Sequence, residues 1–146
     1  MTDASNRPGE SRMFTAASAN AALPLVSRIV RDIVELHTQW REAISAFEVE
    51  QDSVTAEHES DEARVARERA GHLAGEIESC LDELEQVGCH FKGFEDGLVD
   101  FPSLRDGRVV YLCWQHGEAG VTYWHEMDDG FSGRRPLDET HVIRDA

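Results

Sequence analysis

The chain has 146 residues, the size of one ordinary domain, and its 29 acidic and 14 basic residues give a formal charge of −15. That charge repels phosphate backbones and anionic lipid, so nucleic acid and membrane surfaces are excluded as expected partners. With 40% hydrophobic residues, the chain is also too apolar to be disordered. No run approaches the roughly 20 apolar residues of a membrane span, and we expect neither a signal peptide nor an anchor.

The composition changes along the chain indicate one domain behind a tail. Residues 1–13 are polar and are predicted to be a disordered tail, whereas 14–146 are predicted to form a single domain. Within it we expect a helical hairpin over 14–88 and a β-meander with a C-terminal loop over 89–146. The three cysteines form no Cys-x-x-Cys pair, which favours a reduced, cytoplasmic protein.

Two stripes of apolar residues predict two long helices. Thr15 is placed to cap the first helical segment, and Pro24 is expected to kink that helix or to start a new one. Both stripes alternate steps of three and four residues, a spacing that keeps one helix face against a partner, as in coiled coils. The stripes are Val26, Val30, Ile33, His37, Trp40, Ile44 and Phe47, then Ala63, Ala66, Ala70, Leu73, Ile77, Cys80, Leu84 and Val87.

The two stripes are out of phase, which indicates that the chain reverses between them. An acidic polar stretch separates them, and we place the reversal between about residues 50 and 61. Ser53, Thr55 or Ser60 is the candidate cap of the second helix.

Three glycines carry predictions for the second helix. Gly88 is predicted to end it in the left-handed conformation. Gly71 and Gly75 lie inside it and form a small-residue face with Ala70 and Ala74, onto which Trp40 or Phe47 is expected to pack.

After Gly88 the hydrophobic period changes to two, which is typical of strands. Asp96-Gly97 and Asp106-Gly107 are hairpin-turn signals, Pro102 is expected to end the second strand, and the segment from Gly130 is expected to be irregular. The predicted fold class is therefore α+β: a long antiparallel helical hairpin followed by a small antiparallel β-meander of three to four strands.

The strand over 109–114 is apolar on both sides. Val110, Leu112 and Trp114 point one way, and Val109, Tyr111 and Cys113 point the other. A strand of this kind is usually covered on both faces. The helical hairpin is one cover and a second copy of the chain is the expected other, which predicts a homodimer.

Several sequence blocks carry a resemblance to a known family. They are Phe14-Thr15, Ala19-Asn20-Ala21-Ala22-Leu23-Pro24, Gly97-Leu98-Val99-Asp100-Phe101-Pro102, Tyr111-Leu112-Cys113-Trp114, Gly117-Glu118, Tyr123-Trp124-His125-Glu126 and Gly130-Phe131-Ser132-Gly133-Arg134-Arg135-Pro136. In order and spacing they resemble a family of small bacterial proteins called domain of unknown function 2203, from Phe14 to Leu137. The family has no established activity, so the resemblance implies no catalytic residue.

Cys113 and His125 are residue types that bind zinc, and a shared ion would need both on one face of their hairpin. With a two- or four-residue loop centred on Glu118-Ala119, Cys113 lies opposite Trp124, so that Cys113 and His125 point to opposite faces. A three- or five-residue loop would reverse that parity. The even-loop register therefore argues against a metal site, and the sequence identifies no cofactor.

The candidate ligand-binding residues are Asp100, Glu118, His125, Glu126, Arg134 and Arg135. In the even-loop register His125 shares a face with Trp114, Tyr123 and Met127. There it is either a hydrogen-bonded core histidine or a general acid–base with Asp100 or Glu118 as its partner.

Glu126 falls on the other face in that register, near Tyr111 and Cys113. It is the expected acceptor for Arg134 or Arg135. The pairing is either a strand-to-loop salt bridge or part of a site in which arginines recognise an anion.

Two functions follow. The leading prediction is a non-enzymatic cytoplasmic interaction or assembly protein that acts through its helical hairpin as a homodimer, with a further protein partner as an option. The alternative is a small-ligand-binding or metal-dependent enzyme with its site on the β-meander around His125, Glu126, Arg134 and Arg135.

Overall fold

The computed structural model describes residues 12–51 and 59–137. Two helices, α1 (Ala16–Gln51) and α2 (Asp61–Val87), are followed by β1 (His90–Gly93), β2 (Leu98–Arg105), β3 (Arg108–Gln115), β4 (Tyr123–Glu126), a 3₁₀ turn (Phe131–Gly133) and β5 (Arg135–Pro136). The fold is α+β, as predicted: a helical hairpin followed by an antiparallel meander. Most of the predicted tail at 1–13, the candidate caps Ser53 and Thr55, and residues 138–146 of the predicted C-terminal loop lie outside the described residues.

The first helix is continuous through Pro24, so of the two alternatives expected for that residue, the start of a new helix is wrong. Thr15 caps the helix as expected, because its Oγ1 accepts the Ser18 backbone N–H at 3.0 Å. A proline inside a helix costs about 3 kcal/mol. Leu23 and Val26, on either side of Pro24, are both buried in the core, and each such burial contributes about 1.5–3 kcal/mol, which offsets that cost.

The reversal of the hairpin lies where the phase break predicted it, between the end of α1 at Gln51 and the start of α2 at Asp61. Ser60 is the cap of α2, since its side chain accepts the Ala63 N–H at 3.0 Å. At the other end Gly88 has φ +107° and donates its N–H to carbonyls of the last turn. Both helix-end predictions on described residues are confirmed.

The helices and the sheet enclose one main core. The face of the sheet that packs on the helices, called here the inner face, contributes Val99, Phe101, Val110, Leu112, Trp114 and Trp124 to it, and α1 contributes Val26, Ile29, Val30 and Ile33. A second, smaller cluster of Ala43, Ala70 and Leu73 joins the helices farther from the sheet, with Trp40 packed against it. The opposite face of the sheet is called the outer face.

The five strands follow one another in sequence order across the sheet, and each pairs antiparallel with the next. The fifth strand exceeds the predicted three to four because Arg135-Pro136 pairs with Trp124 and Tyr123, in a segment expected to be irregular. Pro102 does not end β2, contrary to expectation. Its carbonyl accepts the Phe14 N–H at 2.7 Å, so its nitrogen faces the same side, away from β3, where no ladder donor is needed.

The expected cover over Gly71 and Gly75 is absent. A Cβ atom added at either residue would meet no atom within 4 Å among the described residues, so neither Trp40 nor Phe47 packs on the two glycines themselves, although Trp40 does pack against the cluster that contains the neighbouring Ala70. The glycines therefore lower helix stability without making room for a contact with any described residue.

No helix in the described part of the chain combines the length and the apolar character needed to cross a membrane.

Gly75→Ala is expected to raise the free energy of unfolding by about 1 kcal/mol, because alanine restricts the unfolded chain and meets open space in α2. The matched control is Gly88→Ala, which is expected to lower it by at least about 1 kcal/mol. There the backbone is left-handed and the new Cβ would lie 2.9 Å from the Cβ of Arg12. Urea unfolding of both variants measures the difference, and equal effects would contradict this account of the two glycines.

Candidate metal centre

The register of β3 and β4 differs from the predicted one and changes the site. Cys113 pairs with Tyr123 and Tyr111 pairs with His125. Cys113 and His125 are therefore on the same face of the sheet, the outer one, and the even-loop prediction that separated them was wrong. Trp114, which was expected to share a face with His125, lies on the inner face instead.

The physical reason for the odd register is a contact with α1. Asn20 binds both backbone groups of Val121: its Oδ1 accepts the N–H at 2.8 Å and its Nδ2 donates to the carbonyl at 3.1 Å. Val121 is thereby withdrawn from pairing with β3, and β4 begins only at Tyr123. The connection is a wide loop held by a helix rather than a tight hairpin turn.

Three residues with metal-ligating side chains converge on the outer face. Asp100 of β2 pairs with Cys113 of β3, and His125 of β4 lies diagonally next to Cys113. The donor atoms, one from each side chain, all lie within 4.8 Å of one another, and all three residues are buried. Three different strands therefore present a carboxylate, a thiol and an imidazole to one point.

The hydrogen bonds of His125 fix the direction in which its ring can bind. Nδ1 lies 2.8 Å from the carbonyl oxygen of Glu126, which can only accept, so Nδ1 carries a proton. Nε2 lies 3.0 Å from Oδ1 of Asp100. The two atoms share one proton. A metal ion in place of that proton would be bound by the nitrogen lone pair of His125 and by a carboxylate oxygen of Asp100.

The thiol of Cys113 is held in its neutral form by its surroundings. Burial, and to a smaller extent the negative charge of Asp100, raise the pKa of Cys113 to about 11 against the opposing effect of Arg134. Cys89, in the core, has its pKa raised to about 12 by burial alone.

Arg134 forms the rim of the site next to Cys113. Its Nη1 and Nη2 donate to the two carboxylate oxygens of Glu118 at 2.8 and 2.9 Å, and Nη2 also donates to the Cys113 carbonyl at 3.2 Å. The guanidinium carbon lies 3.9 Å from the ring centre of Tyr123 and 4.5 Å from that of Phe131. Arg134 is thus a clasp that ties the 3₁₀ turn to the outer face.

The six candidate residues from the sequence therefore separate into three groups. Asp100 and His125 lie in the convergent cluster, and Glu118 and Arg134 form the adjoining clasp. Glu126 and Arg135 are elsewhere.

Glu126 and Arg135 belong with the inner face rather than with the cluster. Glu126 pairs with Val110 and is bound by Arg108, so the expected salt bridge from Arg134 or Arg135 to Glu126 was assigned to the wrong acid. Arg135 lies beside Trp124 on that face. The same shift of register by one residue explains both errors.

Sequence reasoning missed Cys113 as a member of the cluster. The sequence did contain a signal for the outer face. In Val99-Asp100-Phe101 the two apolar residues face the core, so the side chain of Asp100 between them must point to the outer face. His90 lies on the same face, opposite Asp100 in the strand register and 6.1 Å from Tyr111 between ring centres, but it is not one of the three converging residues.

The Arg134–Glu118 clasp generates a pH-dependent prediction. Hydrogen bonds from Arg134 hold the pKa of Glu118 below its usual 4.5. The pair therefore stabilises the fold fully above pH 4.5, and its contribution is lost as pH falls through the lower folded value. We expect Arg134→Gln to cost about 2 kcal/mol at pH 7 and progressively less below pH 4.5, as measured by chemical unfolding.

Arg41→Gln is the control, because its partner Glu95 is exposed and lies 3.3 Å away. Its cost should stay within about 0.5 kcal/mol at every pH. A pH-independent loss in Arg134→Gln would rule out the Glu118 pairing as its cause.

Comparison with known proteins identifies the family of the chain but assigns no activity to it. The model of a family of uncharacterized conserved proteins, domain of unknown function 2203, matches residues 12–137. A search of curated proteins finds no match, and neither does a search of solved structures. The matched region contains both helices, all five strands and the complete outer-face cluster, and the chain belongs to the family of domain of unknown function 2203.

Proposed function

We propose that this protein binds a zinc-type divalent ion through Asp100, Cys113 and His125. The observation that carries the proposal is the convergence of these three buried donors, from three strands, within 4.8 Å of one another. It corresponds to the metal-dependent form of the alternative function that the sequence suggested.

The donor set favours zinc over other common metals. Imidazole, thiolate and carboxylate together suit a borderline ion such as Zn²⁺, whereas Mg²⁺ and Ca²⁺ prefer oxygen ligands alone. Zinc bonds of about 2.0–2.3 Å place tetrahedral ligands roughly 3.5 Å apart. Donors within 4.8 Å therefore need shifts of only about 1 Å to meet one ion.

The surroundings of His125 support the same assignment. A histidine that ligates through one nitrogen usually donates its other N–H to a carbonyl or carboxylate, which fixes the ring. The Nδ1 contact with the Glu126 carbonyl provides that anchor and leaves Nε2 for the ion.

Three protein donors leave one position of a tetrahedral site for a fourth ligand. This is the arrangement of catalytic zinc sites, where water fills the fourth position, whereas structural sites supply four protein ligands. Because Asp100, Cys113 and His125 are all buried, the fourth ligand is restricted to small molecules such as water.

Metal binding to purified protein tests the proposal. We expect one zinc per chain by elemental analysis, and Co²⁺ substitution should give a thiolate-to-cobalt charge-transfer absorption. Cys113→Ser, Asp100→Asn and His125→Ala should each weaken zinc binding by about a hundredfold or more, and Cys113→Ser should remove the thiolate band.

Cys80→Ser and His72→Ala are the matched controls. Cys80 lies half-buried in α2, and His72 is exposed on the same helix, so both variants should bind zinc like the parent chain. Zinc should also raise the melting temperature of the parent and of both controls, but not that of Cys113→Ser. Equal zinc affinity in the parent and in Cys113→Ser would refute the site.

A second function, self-association in the cytoplasm, is supported by a different observation. A groove of about 490 Å³ runs between the helices near their distal end, lined by Ala43, Ala46, Val65 and Ala66 and edged by Glu42, Asp61, Glu62 and Arg69. Alanines on both walls allow a helix of a second copy to approach closely, and Val65 is 55% exposed. The three free cysteines accord with a reducing compartment.

Light scattering tests this second function. We expect a dimer at tens of micromolar that Val65→Glu converts to a monomer, since a buried charge in the groove would be unpaired. Arg28→Glu, an exposed change elsewhere on α1, should leave the dimer intact. A monomeric parent chain would exclude self-association and leave the zinc proposal untouched.

A further inference from the structure

A group of arginines surrounds Trp124 at one end of the inner face, away from the metal centre. Arg105 of β2 and Arg108 of β3 are paired across the end of their hairpin, and Arg135 of β5 pairs with Trp124 itself. By strand alternation all three side chains belong to the inner face, together with Glu126 of β4. We call Arg105, Arg108, Arg135 and Trp124 the arginine cluster.

Among the described residues, Arg108 is the one arginine of the three that forms an ion pair with an acidic side chain. Arg108 donates from Nε and Nη2 to the two carboxylate oxygens of Glu126. Arg105 and Arg135 form no ion pair with any acid in residues 12–51 and 59–137. Their guanidinium carbons lie 4.4 and 5.3 Å from the ring centre of Trp124.

The charges of this region act together. The hydrogen bond from Arg108 lowers the pKa of Glu126 most strongly, and the charges of Arg135 and Arg105 lower it further. All three guanidinium groups thus lie within electrostatic reach of one carboxylate. Glu126 forms its ion pair with Arg108, so the charges of Arg105 and Arg135 are not paired with an acid among the described residues.

Arg105 has a buried donor without an acceptor. Its Nη1 is shielded from solvent and forms no hydrogen bond with the described residues. An unmade hydrogen bond of this kind costs about 1–3 kcal/mol. Arg134 also has a buried donor without an acceptor, its Nε, but its other nitrogens are bound to Glu118, whereas Arg105 forms no ion pair with the described residues.

We propose that the arginine cluster binds a small tetrahedral oxyanion, phosphate or the terminal group of a phosphate monoester, through Arg105 and Arg135. Both guanidinium groups approach one indole ring, so their separation cannot exceed the sum of their distances to its centre. An oxyanion bound between the two groups would form charge-assisted hydrogen bonds of about 2.7–2.9 Å with them. It also supplies the acceptor that Nη1 of Arg105 lacks.

The overall charge of the chain restricts the ligand. A formal charge of −15 repels extended polyanions, so the cluster suits a small anion rather than a nucleic acid. The same charge keeps non-specific phosphate binding low, which makes a local site easy to detect. This inference does not depend on zinc, because the cluster lies on the opposite face of the sheet from Cys113 and His125.

Titration of metal-free protein with inorganic phosphate, followed by calorimetry and by ³¹P line broadening, tests the site. Sodium chloride at matched ionic strength separates binding from general screening of the acidic chain. We expect saturable one-to-one binding that Arg135→Gln and Arg105→Gln each weaken about tenfold or more. Arg28→Gln, which removes an exposed charge from α1, should change the affinity less than about twofold.

Arg105→Lys and glycerol phosphate complete the design. Lysine keeps the charge but loses the planar fork, so weaker binding than in the parent chain supports recognition by the guanidinium group. Glycerol phosphate binding at least as tightly as inorganic phosphate assigns a monoester, and weaker binding assigns the free ion. The proposal is overturned if no phosphate binds beyond the chloride control. It is also overturned if Arg135→Gln binds phosphate with the same affinity as the parent chain.

Discussion

The two hydrogen bonds between Asn20 and Val121 connect the first helix to the sheet and fix how β4 pairs with β3. Because both backbone groups of Val121 are bound to a side chain of α1, β4 starts two residues after Val121, at Tyr123. Tyr123 then lies opposite Cys113. Side chains alternate between the two faces of a strand, so a shift of the register by one residue would move every side chain of β4 to the opposite face of the sheet. Trp124 would leave the core, and His125 would leave Asp100 and Cys113.

The polar groups of the sheet are distributed in accordance with that register. On the outer face, His125 with Asp100 and Arg134 with Glu118 form two neighbouring pairs at least partly removed from water. On the inner face, the arginine cluster includes Arg105 and Arg108, which are paired at the end of the β2–β3 hairpin. Buried charges are stable only when they are paired, so each pair constrains the position of the strands that carry it. The two proposed ligand sites lie on opposite faces because they use residues of opposite parity on β4.

Periodicity predicted the helical hairpin well because the helices bury long, regular stripes. Ala63, Ala66, Ala70, Leu73, Ile77 and Leu84 are all buried, as the three-four spacing indicated. Pro24 does not start a new helix, because the burial of core residues on both sides of it outweighs the local cost of proline. Gly71 and Gly75 were misjudged, since a partner was assumed for two positions where an added Cβ meets none of the described residues.

The site could be predicted only in part. Asp100 was named, as an alternative to Glu118, for the acidic partner of His125, and the structure selects Asp100, two strands away in the sheet. Cys113 was rejected because an even hairpin loop is the common one, and the segment after Trp114 gives no sign that a helix residue a hundred positions earlier binds it. Glu118 and Arg134 were both named, but Arg134 was given the wrong acid for the same reason.

By itself the sequence determined the fold class, the ends of the second helix, the position of the reversal and the alternation of each strand. These depend on local hydrogen bonding and on the spacing of apolar residues, which are fully present in the chain. Only the tertiary structure decided which residues face one another across β3 and β4, and therefore whether three metal-ligating side chains meet. That outcome depends on a contact between Asn20 and Val121, which are far apart in the sequence, and a shift of one residue reverses it.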